Sequence, residues 1–520
     1  MMQIKTNVEY LKCESVRETH TDSQSEYTLP DYNSDVRKIL YTSAQIYPSG
    51  KFVGDGEIEF SGIIVYNLIY SDPENKICSI SFTSDYDYAV KCDSERYKDC
   101  ICDARVANYA IRVVGPRRIS AKASVSASVR MCEEQEVVTN GSAFSSEETP
   151  EVMCERARVR ASFSSGNAER EYAESIAKLE GAIVDEVSVI YTGAEVVSSE
   201  AALSNDGVMI SGNLKLSSVI KNGEEPAYLV EKNLPIDEKI AFEGVSLDMA
   251  LIPELSVSSL KANVNPDDSG CEVVLSAILE MHVRGERNQD IELISDAYMK
   301  ECEVSNSYDN FTYTELCSVI KEKRPQTVEL SRSELDSAEL REVVFISATP
   351  RLESVISTSE GVRLSGELKY AGVALEICDD GSCSYIPLKF STNFEENVNI
   401  DFQNMDKMRY EVKASCISAT ATLDADKLYA SADLCFDIVA LSDVTRRIIS
   451  SSEAMSDISS KSCTAQVVVY YPDSDDTLFS VAKRYRTTVS KLARDNSIDV
   501  QTMGGMDASL GTVKRLLIYS

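Results

Sequence analysis

The sequence predicts a mainly β chain with short helices: three repeated antiparallel β-domains followed by a small βααβ module. Three observations carry that prediction. An apolar-x-apolar-Ser-Gly unit occurs three times, about 150 residues apart, as Ile58-Glu59-Phe60-Ser61-Gly62, Val208-Met209-Ile210-Ser211-Gly212 and Val362-Arg363-Leu364-Ser365-Gly366. The residues after each glycine alternate: Ile64, Leu214 and Leu368 sit two places on, and Tyr66, Leu216 and Tyr370 four places on. That period of two lines one face of a strand. Finally, the tail differs from the rest in charge. The chain has a formal charge of −32, yet residues 465–520 carry seven Lys/Arg against six Asp/Glu.

The elements follow in order. The first unit, 1–138, opens on the turn-forming Leu29-Pro30-Asp31 and a short helical signal from Ser34 to Leu40. Strands, the Ser-Gly region and the alternating "RISAKASVSASVRM" (118–131) come next. The polar "TNGSAFSSEETPE" (139–151) reads as a linker. The second unit, 152–320, has a helical signal in "AEREYAESIAKLEG", with Tyr172, Ile176 and Leu179 on one face and Gly181 as the stop. It contains the alternating "CEVVLSAILEMHV" (271–283). The charged, proline-bearing "KEKRPQT" (321–327) reads as a break. The third unit, 328–449, repeats the order with helical "SRSELDSAELREVV" and alternating "KLYASADLCFDIVAL" (427–441). The Ser-rich "SSSEAMSDISSKS" (450–462) reads as a flexible tether. Each Ser-Gly is expected to end a strand and to permit a bulge or tight change of direction that a Cβ would obstruct.

In the tail, a strand is predicted over Val467 to Tyr471, and Asp476 is placed to cap a helix starting at Thr477. Leu478, Val481, Ala482 and Tyr485 follow i, i+3, i+4, i+7 spacing. A second helix is predicted over Val489 to Asp495 and a closing strand over Leu516 to Tyr519.

Composition excludes more than it assigns. A chain this acidic is repelled by phosphate backbones and anionic lipid, which disfavours nucleic acid as a partner. No run approaches about 18 apolar residues, so no membrane span is expected. The N-terminus lacks a basic region followed by an apolar one, so export is not expected, and the 15 scattered cysteines are expected as reduced thiols. No metal site, cofactor or enzymatic activity is expected. The two histidines, His20 and His282, lie in different units, and no phosphate-binding loop, nucleophile elbow or His-Glu-x-x-His helix is present. Tyrosine is abundant, at 25 residues against no tryptophan, which suits half-buried β-surfaces.

The tail segment "DDTLFSVAKRYRTTVSKLARDNSI" resembles a LysM domain through Asp476, Thr477, Leu478, Phe479, Ser480, Ala482, Tyr485, Thr488, Val489, Leu492 and Asn496. The resemblance implies a shallow groove for N-acetylglucosamine polymers such as peptidoglycan. Carried over, that groove involves Asp476, Thr477, Leu478, Asn496, Ser497 and Ile498. The sequence departs from the family at Asp475, where a glycine is usual, and at Arg486, where a glycine after the tyrosine is usual. Arg486 costs stability if the αL geometry is kept. Upstream, Leu-Pro-Asp followed by Ser-Gly strand units resembles the SPOCS domain. Three such units with a terminal LysM module resemble the SipL-like family of spore coat-assembly proteins. That resemblance implies a non-enzymatic adaptor, cytoplasmic in the mother cell at the forespore surface, whose LysM module docks on a SpoIVA-like morphogenetic ATPase of the spore coat.

Overall fold

Alternating sequence becomes long antiparallel strand in the computed structural model. It describes the chain except residues 1, 55, 92–96, 145–150, 206, 301, 336–339, 379–380, 401–407, 425–426, 458–466, 504 and 520. The first unit holds β1 (Met2–Thr28), β2 (Lys38–Gly54), β3 (Glu57–Ser71), β4 (Ile77–Lys91), β5 (Tyr97–Gly115) and β6 (Arg118–Phe144). They form two sheets, a meander ordered β2-β3-β4 and a second sheet ordered β1-β6-β5. The apolar faces of the two sheets close on one core. Ile64, Tyr66 and Leu68 come from one side, and Ile119, Ala121, Val125 and Val129 from the other.

The same plan recurs twice. The second unit has β7 (Glu151–Ser164), β8 (Ala168–Glu180), β9 (Val187–Ser204), β10 (Gly207–Asn222), β11 (Tyr228–Ile240), β12 (Ala250–Asp267) and β13 (Gly270–Tyr298). Its meander is β11-β10-β9; β7 and β8 pair with successive halves of β13 and together replace one long first strand. The third unit has β14 (Cys302–Ser331), β15 (Leu340–Thr358), β16 (Gly361–Ile377), β17 (Cys383–Asn399), β18 (Met408–Asp424) and β19 (Lys427–Asp457), in sheets β15-β16-β17 and β14-β19-β18. In each unit the strongly alternating last strand is the centre of its sheet. In β19, for example, Ala430, Ala432, Leu434, Phe436, Ile438 and Ala440 all point into the core.

This register moves the unit boundaries. The expected break at 321–327 lies inside β14, where Lys321 through Thr327 pair with Asp437 through Ser431. Pro325 is tolerated because β14 is an edge strand, where a missing N–H breaks no ladder. Residues 302–320, assigned to the second unit by the sequence, are therefore the first strand of the third. Residues 139–144 of the expected linker belong to β6, and 450–457 of the expected tether belong to β19. The rest of those two segments, apart from Glu151 in β7, lies outside the described residues.

The helical signals that open the units are not α-helices. Lys38 to Leu40 begin β2, and 168–180 form β8. Only a 3-10 turn, Arg332–Leu335, and the strand from Leu340 occupy the described part of the third. In β8 the cause is visible. The pairing jumps from Ser175↔Val274 to Ala177↔Val273, leaving Ile176 as an extra residue. A bulge shifts the in–out phase by one, so two strand segments give the 4 + 3 spacing of Tyr172, Ile176 and Leu179.

The three Ser-Gly units do not end strands; they lie within β3, β10 and β16. The expected bulge is real but sits on the neighbouring strand. Register shifts fall between Pro48 and Gly50 opposite Gly62 and Ser61, and between Leu352 and Ser354 opposite Gly366 and Ser365. In the second unit the shift falls between Asn213 and Leu214, just beyond Gly212. A Cβ on Gly366 would lie 2.1 Å from the carbonyl oxygen of Arg351, and one on Gly212 2.1 Å from that of Ser198. The glycines admit the backbone that each bulge pushes toward them.

The three units meet at equivalent positions. Leu40, Ile190 and Val344 are each the extra residue of a second bulge, and each is buried in one shared cluster. Beside them, the rings of Tyr41, Tyr191 and Phe345 touch one another. Centroids are 5.9 Å apart for Tyr41–Tyr191 and 5.0 Å for each of the other two pairs. The result is a quasi-threefold junction inside one chain.

Candidate binding module and the cleft beside it

The tail folds as β20 (Val467–Tyr470), α1 (Leu478–Tyr485), α2 (Val489–Asp495) and β21 (Leu516–Tyr519), with β20 and β21 antiparallel. Leu478, Val481, Ala482, Leu492, Leu516 and Ile518 form its core. Thr477, not Asp476, is the N-cap of α1. Its hydroxyl oxygen accepts from the N–H of Ser480, and the Ser480 hydroxyl accepts from the N–H of Thr477. Arg486 adopts the αL conformation at φ 54°, the geometry for which glycine is the unstrained choice.

The sequence-predicted groove residues divide by what their own chain asks of them. Asp476 is buried and accepts from the hydroxyl of Tyr470, the N–H of Asp473 and the guanidinium of Arg484; the Tyr470 bond above all holds its carboxyl below the usual range. Leu478 is in the core. The Asn496 amide donates to the carbonyls of Leu492 and Leu517 and accepts from the N–H of Leu517, so it staples α2 to β21. Ser497 is exposed with φ 55°, and Ile498 is half-buried against the module core. Of the six, Thr477 lines the cavity that opens at the start of α1.

That cavity is a cleft of about 700 Å³ between the module and the β-body. Thr477 at the N-cap of α1 and Ser480 and Lys483 within it form one wall; Glu155 and Arg156 of β7 and Arg446 of β19 form the other. The module is seated, not loose. Tyr298 of β13 donates its hydroxyl to the Thr487 carbonyl at 2.7 Å, and its ring meets Phe479 edge-on at 5.2 Å. Lys483 donates to Asp296, and Met153 packs on the module core. Burial pushes the Tyr298 phenol well up, so it stays a donor at any physiological pH. Nothing in the sequence marks the β7, β13 and β19 wall, because its residues read as ordinary strand positions and those of β7 and β13 lie far upstream.

Elsewhere, His282 lies 3.4 Å from Glu254 and His20 is exposed on β1, so the two histidines do not meet. Among the described residues, no helix is long and apolar enough to cross a membrane and no three or more His, Cys, Asp or Glu side chains cluster as metal ligands.

The fold defines a body of three β-units carrying a small two-helix, two-strand module. Residues 474–502 match the family model of the LysM domain. No curated protein and no solved structure matches the chain.

Proposed function

We propose that the chain is a non-enzymatic scaffold whose LysM module grips an N-acetylglucosamine polymer, peptidoglycan being the natural form, while the three β-units present surface to an assembling layer. The observation that carries this reading is the LysM match over 474–502 on a βααβ fold with an open cleft at the start of α1. The test is co-sedimentation of the full chain with purified peptidoglycan. The protein should pellet, and soluble N-acetylglucosamine oligomers should release it. Protein remaining in the supernatant at every polymer concentration would remove this reading.

A second reading has its own support. The three β-units carry the Ser-Gly signature that resembles SPOCS units, and Asp475 is an exposed carboxylate two residues before Thr477. On this reading the protein is a spore coat-assembly adaptor at the forespore surface of the mother cell, and the module docks on a SpoIVA-like coat ATPase. Affinity capture on the purified ATPase separates the two: retention there without retention on peptidoglycan favours the adaptor.

A further inference from the structure

The geometry points to a saccharide site that the LysM module does not complete alone: we propose that Glu155, Arg156 and Arg446 of the β-body form the second wall of the binding cleft, for a neutral, amide-bearing oligosaccharide. This rests on the glycan reading above and assigns residues outside the family match, Glu155 and Arg156 some 300 positions upstream of it and Arg446 just before it.

Charge argues for the ligand class. The cleft is lined by three cations, Arg156, Arg446 and Lys483, and three carboxylates, Glu155, Asp296 and Asp507. It is therefore neutral on a chain of formal charge −32. Lys483 is already paired with Asp296, and Arg446 lies 3.9 Å from Glu155. Arg156 and Asp507 are in no ion pair among the described residues and stand on opposite walls, one a donor and one an acceptor.

The start of α1 gives an anion nothing extra. The Phe479 N–H donates to the Met506 carbonyl, the Ser480 N–H to Thr477 Oγ1 and the Val481 N–H to the Thr477 carbonyl. With its amides spent, the helix end does not act as an anion site. What remains is a cleft lined by both donors and acceptors, with Met153 and Phe479 as its apolar residues. That mixture suits hydroxyls, acetamido groups and their methyls, and a few convergent polar groups in a cleft of this volume are enough to fix orientation.

The experiment is calorimetric titration of the full chain with N-acetylglucosamine hexamer. Arg156 is exposed, so Arg156→Ala should fold with an unchanged melting temperature. It should bind about tenfold or more weakly, the scale for a lost charge-assisted hydrogen bond. Glu155→Gln and Asp507→Asn should each weaken binding, Arg156→Lys should recover part of the loss, and Arg363→Ala on β16 should change nothing. Hexamer binding that is identical in wild type, Arg156→Ala and Glu155→Gln would overturn the two-walled cleft and leave the glycan reading standing. No hexamer binding by wild type would overturn both. Tighter binding of an acidic peptide than of the hexamer, lost in Arg156→Ala, would overturn the neutral ligand.

Discussion

Glu286 lies at 0% exposure between two guanidinium groups. Arg160 meets it through two hydrogen bonds of 2.7 and 2.8 Å, Arg284 through one of 2.6 Å, and Ser162 donates at 3.2 Å. Arg160 also reaches Glu411 of β18 at 3.4 Å, so the cluster links the second unit to the third. Burial alone would raise the Glu286 carboxyl pKa; Arg160 and Arg284 outweigh it and hold the group below its ordinary range. A carboxyl with a depressed folded pKa stabilises above its unfolded pKa of about 4.3, and that contribution is lost as pH falls through the folded value. Glu286→Gln takes the shared anion from two buried cations, leaving Arg160 with Glu411 at 3.4 Å and Arg284 with Glu254 at 3.2 Å, and should cost about 3 kcal/mol in urea unfolding at pH 7. The gap between wild type and variant should narrow below about pH 4; a gap that stays constant down to pH 3 would mean the carboxylate charge is not what stabilises. Gly366 makes a second test at this scale. Its missing Cβ is replaced by the Arg351 carbonyl, so Gly366→Ala should destabilise by about 1–3 kcal/mol through overpacking, and an unchanged denaturation midpoint would rule out the close approach.

Among the elements, α1 carries a correctable cost. Arg486 holds αL geometry that a glycine takes without strain, so Arg486→Gly should stabilise the module by about 0.5–1 kcal/mol, read as later melting of the module. Earlier melting would show that the Arg486 side chain does more for the folded state than its backbone costs. The contrast between this module and the β-units explains what was legible in the sequence. Both tail helices and both strands stand where periodicity placed them, because the 3.6 pattern of Leu478, Val481, Ala482 and Tyr485 is local and uninterrupted. The long alternating strands β6, β13 and β19 were equally plain. Bulges hid the rest. One extra residue at Ile176 made a strand look helical, and a charged edge strand with Pro325 looked like a break because its partner β19 begins 96 residues after β14 ends at Ser331. At the site, Thr477 was legible from its motif, whereas Arg156 and Arg446 were not, since the cleft exists only once the module is seated on Tyr298.

On the scale of the whole molecule, three copies of one body behave as the subunits of a cyclic trimer would, using the same patch on each to close a ring. The patch is made by bulges at Leu40, Ile190 and Val344, each of which brings an additional apolar side chain to the junction next to Tyr41, Tyr191 and Phe345. Polar contacts there are few but specific: the hydroxyls of Tyr41 and Ser347 are 3.2 Å apart, and the Ala227 N–H donates to the hydroxyl of Tyr385 at 2.9 Å. Apolar closure of this kind is what couples separate cores into one cooperative unit. Phe345 makes the two closer of the three ring contacts, stacked on Tyr191 and edge-on to Tyr41 with centroids 5.0 Å away in each case. Phe345→Ala should therefore cost about 3–5 kcal/mol, the scale for emptying a buried aromatic site. It should also split one unfolding transition into resolved steps. Tyr41→Phe keeps the ring and loses only the hydroxyl contact, so it should cost about 0.5–1.5 kcal/mol and keep a single transition. A Phe345→Ala protein that melts earlier yet still in one step would show that coupling runs elsewhere. The alternative route is the polar seam of Arg160 with Glu411 and of Asn288, whose amide donates to the Leu316 carbonyl and accepts from the Leu316 N–H; Asn288→Ala would then be the variant that separates the second unit from the third.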